Sequence, residues 1–155
     1  MGSPDENKRL VRRFYEEIDK GNLAAMDELV AEDYINHDPP PFQGLAAGRA
    51  GLKQAFEMFW KATPEGHHVI EEQVAEGDKV VTRLRGVGRH EAELAGIPPS
   101  GNELDVKAVA IHRIEEGRIV EHWSAVDSAT LLQQLGVIEL PGGSLGLEVP
   151  TPPGP

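Results

Sequence analysis

The chain of 155 residues contains no cysteine and few aromatic residues. The absence of cysteine excludes disulfides, thiol nucleophiles and thiolate metal sites, and it leaves the redox compartment open. No apolar run is long enough to cross a bilayer. The first residues, MGSPDENKR, contain no apolar segment, so we predict no signal peptide. A cytoplasmic location is therefore expected.

Basic side chains are also scarce. Lys and Arg together number 15 against 26 Asp and Glu, which gives a net charge of −11. Such a chain repels phosphate groups, so we expect neither nucleic acid nor an anionic membrane surface as a partner. Hydrophobic residues make up 39% of the chain, and its length fits one domain with a single core.

Helical patterns fill the first third of the chain. Ser3–Glu6 reads as a capping box with proline at the first helical position, and Gly21 reads as the end of that helix. Asn22 can cap a short second helix whose inward residues would be Leu23, Met26, Leu29 and Val30. The prolines of Tyr34–Pro41 rule out a helix there. A third helix is predicted over Arg49–Ala62.

Alternating patterns follow and predict two hairpins and a last short helix. The predicted strands are His67–Ala75, Lys79–His90, Glu103–Ile114 and Arg118–Val126. Helices that precede an antiparallel sheet indicate an α+β fold. A strongly curved sheet around these helices would leave an apolar cavity for a small ligand. We place one domain over 1–138 and a Pro/Gly-rich tail over 139–155.

The last hairpin carries the best candidates for chemistry. Alternation places His112, His122 and Ser124 on one face of the sheet. A three-residue turn at Glu115–Gly117 would pair His112 with Val120, Ala110 with His122 and Ala108 with Ser124, and make the two histidines diagonal neighbours. A two-residue turn would break this face. Small Ala108 and Ala110 would leave room for a ligand, and histidine can act as acid or base at neutral pH. The alternative is a structural histidine or an exposed sheet edge.

Other candidates have equally plain structural alternatives. Asp127 could be an acid or base, but an aspartate before a helix usually caps it. Asn36 could stabilise an enolate oxygen, or it could form a turn. Arg83 could hold a substrate carboxylate or a structural glutamate, and strict alternation puts it on the opposite face from His90 unless a glycine bulge intervenes. His37 could bind substrate or be an ordinary loop histidine.

We therefore predict a catalytic set and a substrate-binding set. The catalytic set is His112, His122, Asp127 and Asn36. The substrate-binding set is Tyr34, His37, Phe56, Phe59, Trp60, Arg83, His90 and Ser124, of which the aromatic side chains could instead be plain core. The six histidines lack the spacing of a helical zinc motif, and no phosphate-binding glycine loop is present. No metal and no cofactor are expected.

Several segments resemble the SnoaL-like polyketide cyclases. They are Asp33–His37, Ala75–Val81, Gly96–Gly101, Gly117–Trp123 and Gln133–Gly136. The resemblance implies the cone-shaped α+β barrel of the nuclear transport factor superfamily, often as a dimer. The activity it implies is a cofactor-free intramolecular aldol closure of a polyketide ester.

The resemblance also implies positions for the catalytic groups. Ser124 stands where the family has its aspartate, Ala110 stands where it has a histidine, and Asn36 matches its pocket asparagine. We predict that His112, with His122, replaces the aspartate in acid/base cyclisation or isomerisation of a small apolar carbonyl compound, in a homodimer. The alternatives are a hydrolase or lyase that activates water, and a non-catalytic ligand-binding or interaction module.

Overall fold

The computed structural model of the protein describes residues 2–139. Its helices and strands are, in chain order, α1 (Pro4–Asp19), α2 (Met26–Leu29), β1 (Val30–Asn36), α3 (Gly48–Ala62), β2 (His67–Glu76), β3 (Lys79–Arg89), β4 (Glu103–Glu115), β5 (Arg118–Val126) and α4 (Ser128–Gln134). None of the helices in this range is long and apolar enough to cross a membrane. The predicted tail lies, apart from Glu139, outside the described residues.

Helix α1 forms where the capping box predicted it. Ser3 Oγ accepts a hydrogen bond from the Glu6 backbone N–H, and the Glu6 carboxylate accepts one from the Ser3 N–H. The apolar stripe of the helix then packs into the core, with Val11 and Ile18 at most 1% exposed. Gly21 follows the helix with a φ of +79°, a conformation that favours glycine.

The short second helix differs from its prediction. A single 3₁₀ turn over Leu23–Ala25 leads into α2. The Asn22 side chain donates a hydrogen bond to the Glu17 carboxylate and does not cap this turn. Val30, expected on that helix, is the first residue of a strand. The predicted burial of Met26, Leu29 and Val30 is confirmed, whereas Leu23 is only partly buried.

The five strands form one curled, unclosed sheet in the order β1-β5-β4-β3-β2. Neighbours are antiparallel except β1 and β5, which are parallel. The predicted α+β architecture, with a curved sheet around the helices, is confirmed. Strand β1 was missed, so the sheet is mixed and not wholly antiparallel. It is short and interrupted, and it pairs regularly with β5 only near Ile35 and Asn36.

The β4–β5 hairpin corrects the predicted pairing. Its turn has two residues, Glu116 and Gly117, because Glu115 pairs with Arg118. That turn alone would send His122 to the outer face, but a bulge at Val120 restores the alternation. His112 therefore lies directly opposite His122, not diagonally, and Ile119 takes the inward place predicted for Val120.

The pairings predicted for the two alanines are corrected by the same shift. Ala110 lies opposite Ser124 and Ala108 opposite Val126. The shared face of His112, His122 and Ser124 survives because the shift is an even number of residues. The side chains of β2–β5 that point toward the helices make up the concave face, and those that point away make up the outer face.

Two hydrophobic clusters lie over the concave face. The first joins α1, α2 and β1 to Val80, Leu84 and Ala110. The second is smaller and surrounds Ala62, Leu94, Leu104 and Leu135. Helix α3 reaches both, because Phe56 and Trp60 pack against the first cluster and Phe59 against the second.

Candidate functional site

His112 and His122 form a stacked pair on the concave face. Their ring centroids are 4.7 Å apart, and the planes differ by 27°. His112 is only 1% exposed, with its ring edge-on to Phe14 and Tyr15. Burial, with a smaller contribution from His122, holds the pKa of His112 well below 6.5. His112 is therefore a neutral core histidine that a ligand cannot reach directly.

His122 is oriented by Asn36, another predicted catalytic residue, which is the last residue of β1. Asn36 Oδ1 accepts the Asp38 backbone N–H at 2.9 Å and lies 3.0 Å from His122 Nδ1. An amide oxygen can only accept, so Nδ1 carries the proton and Nε2 of the neutral ring holds a free lone pair. Burial lowers the pKa of His122 to about 4, with Asp38 opposing the shift and His37 adding to it.

Ser124 and Ala110 form the next pair on the concave face, two residue pairs further along the hairpin. They are direct cross-strand neighbours, and the Ser124 backbone N–H donates to Asp38 Oδ2 at 2.9 Å. The predicted room above Ala110 is absent, since that residue is 3% exposed within the first cluster. The open part of the concave face is at Gly86, where an added Cβ would meet no atom within 4 Å.

Three predicted residues lie away from this face. Arg83 is on the outer face, 2.9 Å from Glu71, which fits the structural alternative. His37 stacks on Trp123 with centroids 4.7 Å apart and lies 2.8 Å from Glu121. Asp127 caps α4 by accepting from the Thr130 N–H and hydroxyl, and these hydrogen bonds lower its pKa.

His90 is fully buried beyond the glycines of β3, on the concave side. Its Nδ1 accepts the Ser100 backbone N–H at 3.1 Å, so in the neutral ring the proton is on Nε2. Nε2 is buried and has no hydrogen-bond partner among residues 2–139. The alternation that separates it from Arg83 is observed, without a bulge in β3 against β4.

The predicted aromatic residues divide between core and surroundings. Tyr34 is 3% exposed in the first cluster, where burial and nearby Tyr15 raise the pKa of its hydroxyl. Phe56, Phe59 and Trp60 are half-buried along α3 and can border the space over the sheet.

Sequence reasoning missed Asp19 and His68. Asp19 Oδ1 lies 2.7 Å from His68 Nδ1, and Oδ2 accepts the His68 backbone N–H at 2.9 Å. A signal was available, because Asp19 follows Tyr15 by one helical turn and so continues the apolar stripe of α1. Strand alternation likewise puts His68 on the same face as Ile70, which packs against the first cluster.

The described part of the chain contains no group of three His, Asp or Glu side chains arranged to hold a metal ion. Two surface depressions lie off the concave face. One is beside α3 near Asp27 and Lys53, and the other lies between α1 and β2 near Arg12 and Glu72.

The matching family model is that of the SnoaL-like polyketide cyclases, over residues 9–135. The chain belongs to the SnoaL-like polyketide cyclase family. A relative from Streptomyces peucetius, aklanonic acid methyl ester cyclase DnrD, is 30% identical over 82% of this chain and 88% of its own length. Nogalonic acid methyl ester cyclase from Streptomyces nogalater is 29% identical over 75% of this chain and 87% of its own.

Solved structures agree with this SnoaL-like assignment. TsrD from Streptomyces laurentii superposes with a TM-score of 0.80 at 25% identity and covers 89% of this chain and 100% of its own. The predicted family is therefore confirmed. The assignment of Ser124 and Ala110 to the acid/base positions of the family stays a prediction.

Proposed function

We propose that the protein is a cofactor-free enzyme that cyclises an apolar, polyketide-like carbonyl ester by acid/base catalysis on its concave face. The carrying observation is His122 Nε2, an acceptor with no donor among residues 2–139, in a ring held by Asn36 two residue pairs from Ser124. Relatives with about 30% identity are named as cyclases of aklanonic and nogalonic acid methyl esters. A cytoplasmic location stays a prediction.

The proposed reaction moves one proton and forms one bond. His122 Nε2 takes a proton from the carbon beside the ester carbonyl, and that carbon attacks a ketone of the same molecule. The ketone oxygen becomes an alkoxide and receives the proton back, so substrate and product are isomers. Asn36 Oδ1 is engaged by two donors, which leaves the Nδ2 donors free to bind the developing oxyanion.

In this proposal His112 supports His122 by packing against it and does not itself transfer a proton. Its ring stacks on His122 and keeps water from that side. Because both rings are neutral near pH 7, the pair presents His122 as a base without a neighbouring positive charge.

The proposed enzyme is a homodimer that meets through the outer face. An apolar band of Val74, Val81, Ile111 and Trp123 crosses four strands there in continuous register. The charges beside it are paired within the chain, as in Arg113 with Glu121 at 2.6 Å. A locally neutral face on a molecule of net charge −11 is where two copies can approach.

The test is turnover of aklanonic and nogalonic acid methyl esters by the wild type and by His122→Asn. We expect cyclised isomers from the wild type and about a 100-fold lower kcat in the variant, as for loss of a general base. Met58→Ala, an exposed change on α3, is the matched control and should keep wild-type turnover.

Failure of the wild type to turn over either ester would count against the proposal for these substrates. The presence of a serine at position 124, where the resemblance implies an aspartate, favours a second candidate, a non-catalytic binding module on a cyclase scaffold. Ser124→Asp distinguishes the two candidates. If this variant cyclises the esters and the wild type does not, the wild-type protein is the non-catalytic binding module.

A further inference from the structure

Asp19 and His68 form a carboxylate–imidazole pair that the proposed cyclisation does not use. Asp19 is the last residue of α1, and His68 is the second residue of β2. The Asp19 carboxylate accepts a hydrogen bond from the His68 backbone N–H at 2.9 Å, and it lies 2.7 Å from the ring Nδ1. An ionised carboxylate only accepts hydrogen bonds, so Nδ1 is protonated and Nε2 of the neutral ring is a free acceptor. Carboxylates orient catalytic imidazoles in this way.

The surroundings of His68 are apolar yet reachable. The ring lies 4.9 Å from Tyr15 and 6.2 Å from Phe56, centroid to centroid. The His68 side chain keeps 23% exposure, in contrast to the 1% of His112. A ligand can therefore approach His68 without any rearrangement of the core.

Open space lies beside this ring. His68 pairs with Gly86 of β3, and both positions face the helices. A Cβ at Gly86 would meet nothing within 4 Å, whereas one at Gly88 would crowd Thr63 and Gly66. The gap is therefore local to the strand position opposite His68, and half-buried Phe56 offers an aromatic surface near it.

We infer that His68, held by Asp19, is a second proton-transfer centre that enolises aromatic ketones bound over Gly86. His68 Nε2 takes a proton from the carbon beside the ketone, and the C–H electron pair moves into the carbonyl to give the enolate. The imidazolium returns a proton to the same carbon, so no other reactant is consumed. Asp19 is the positioning residue, at the place where the imidazolium charge forms.

The inference rests on the proposed function only in taking a carbonyl compound as ligand. His122 pairs with His112, which in turn pairs with Val80 of β3. His68 pairs with Gly86, at a different position along β3. The two histidines therefore serve different parts of the concave face, and each can be tested alone.

The test measures deuterium uptake from D₂O into the CH₂ beside the carbonyl of α-tetralone by proton NMR. Wild-type protein should accelerate exchange above buffer. His68→Asn keeps a donor near the place of Nδ1 for Asp19 and should slow exchange by about 100-fold. Asp19→Asn should slow it by about tenfold or more. The control is His67→Asn, since His67 is the exposed neighbour on the other face, and it should exchange like the wild type.

Exchange by wild type no faster than buffer, or equal exchange in wild type and His68→Asn, overturns the inference. Because exchange by the wild type alone can overturn the inference, the test does not depend on whether the variants fold. Imidazole ¹⁵N NMR should find His68 protonated at Nδ1 and its Nε2 signal moved by α-tetralone; an Nε2–H tautomer would overturn the inference. Cyclisation without exchange overturns this inference alone, and exchange without cyclisation of the methyl esters overturns only the proposed function.

Discussion

At the scale of single residues, the structure separates histidines that share a sequence pattern. His112 and His122 were predicted to share a face and do, but alternation cannot tell a sealed ring from a reachable one. Burial depends on Phe14 and Tyr15, which lie about a hundred residues earlier on α1. His68 was missed for the same reason, because its partner Asp19 is 49 positions away.

The burial of His112 predicts a loss of stability in acid. The unfolded chain takes up a proton at the ordinary histidine pKa of 6.5, whereas the folded chain does not until much lower pH. The unfolded state thus binds more protons below pH 6.5, and the free energy of unfolding falls as pH falls. For His112 we expect a loss of about 2 kcal/mol between neutrality and about pH 5, and a similar loss for His122.

Urea unfolding at about pH 7 and about pH 5 measures this loss. In His112→Phe, whose ring fits beside Phe14 and Tyr15, the difference between the two conditions should shrink by about 2 kcal/mol. Met58→Ala, at an exposed position without a titratable side chain, serves as the comparison and should keep the wild-type pH dependence. An unchanged difference in His112→Phe would contradict the account of His112 as a buried neutral ring.

At the scale of elements, local signals were sufficient wherever an element is defined by its own residues. Capping at Ser3 and glycine turns gave α1 and both hairpins close to their observed limits. Strand β1 and the bulge at Val120 could not be predicted in this way. Strand β1 exists through its partner β5, and the bulge reconciles a two-residue turn with the inward placement of both Ile119 and His122.

Helix α3 offers a test in which local and tertiary effects oppose each other. Gly51 lies in its first turns, where alanine would normally favour a helix by about 1 kcal/mol. A Cβ at Gly51, however, would fall well inside van der Waals contact with the Ala46 carbonyl oxygen. Gly51→Ala should therefore destabilise the protein by about 1–3 kcal/mol, as overpacking does.

Thermal and urea unfolding of Gly51→Ala measure this effect. Gly86→Ala is the comparison, since its Cβ would enter open space, and that variant should introduce no steric clash. Stabilisation by Gly51→Ala would mean that the loop around Ala46 yields easily and does not fix the start of α3.

At the scale of the whole molecule, the fold class could be predicted because α1–α3 all precede the two hairpins that supply four of the five strands. Its mode of association depends on what the outer face presents. Val81 and Val109 are 36% and 41% exposed in the middle of that face. A monomer would leave this apolar surface in water, whereas a dimer would bury it.

We expect the wild type to sediment as a dimer. The double variant Val81→Lys with Val109→Lys should sediment as a monomer, because the two lysines of each copy would be buried against the like charges of the other copy. The matched control is Val137→Lys, which changes a valine of similar exposure beyond α4. A monomeric wild type at micromolar concentration would refute the proposed dimer.

The parallel pairing of β1 with β5 has a consequence for how the protein is made. Asn36 leaves the ribosome 86 residues before the histidine that it orients. Until β5 has been synthesised, β1 has no neighbour in the sheet, and the Asn36 amide has no ring to hold. Asn36 and His122 therefore meet only after β5 has been synthesised, and a chain interrupted before Arg118 carries α1–α3 and four of the five strands without that pair.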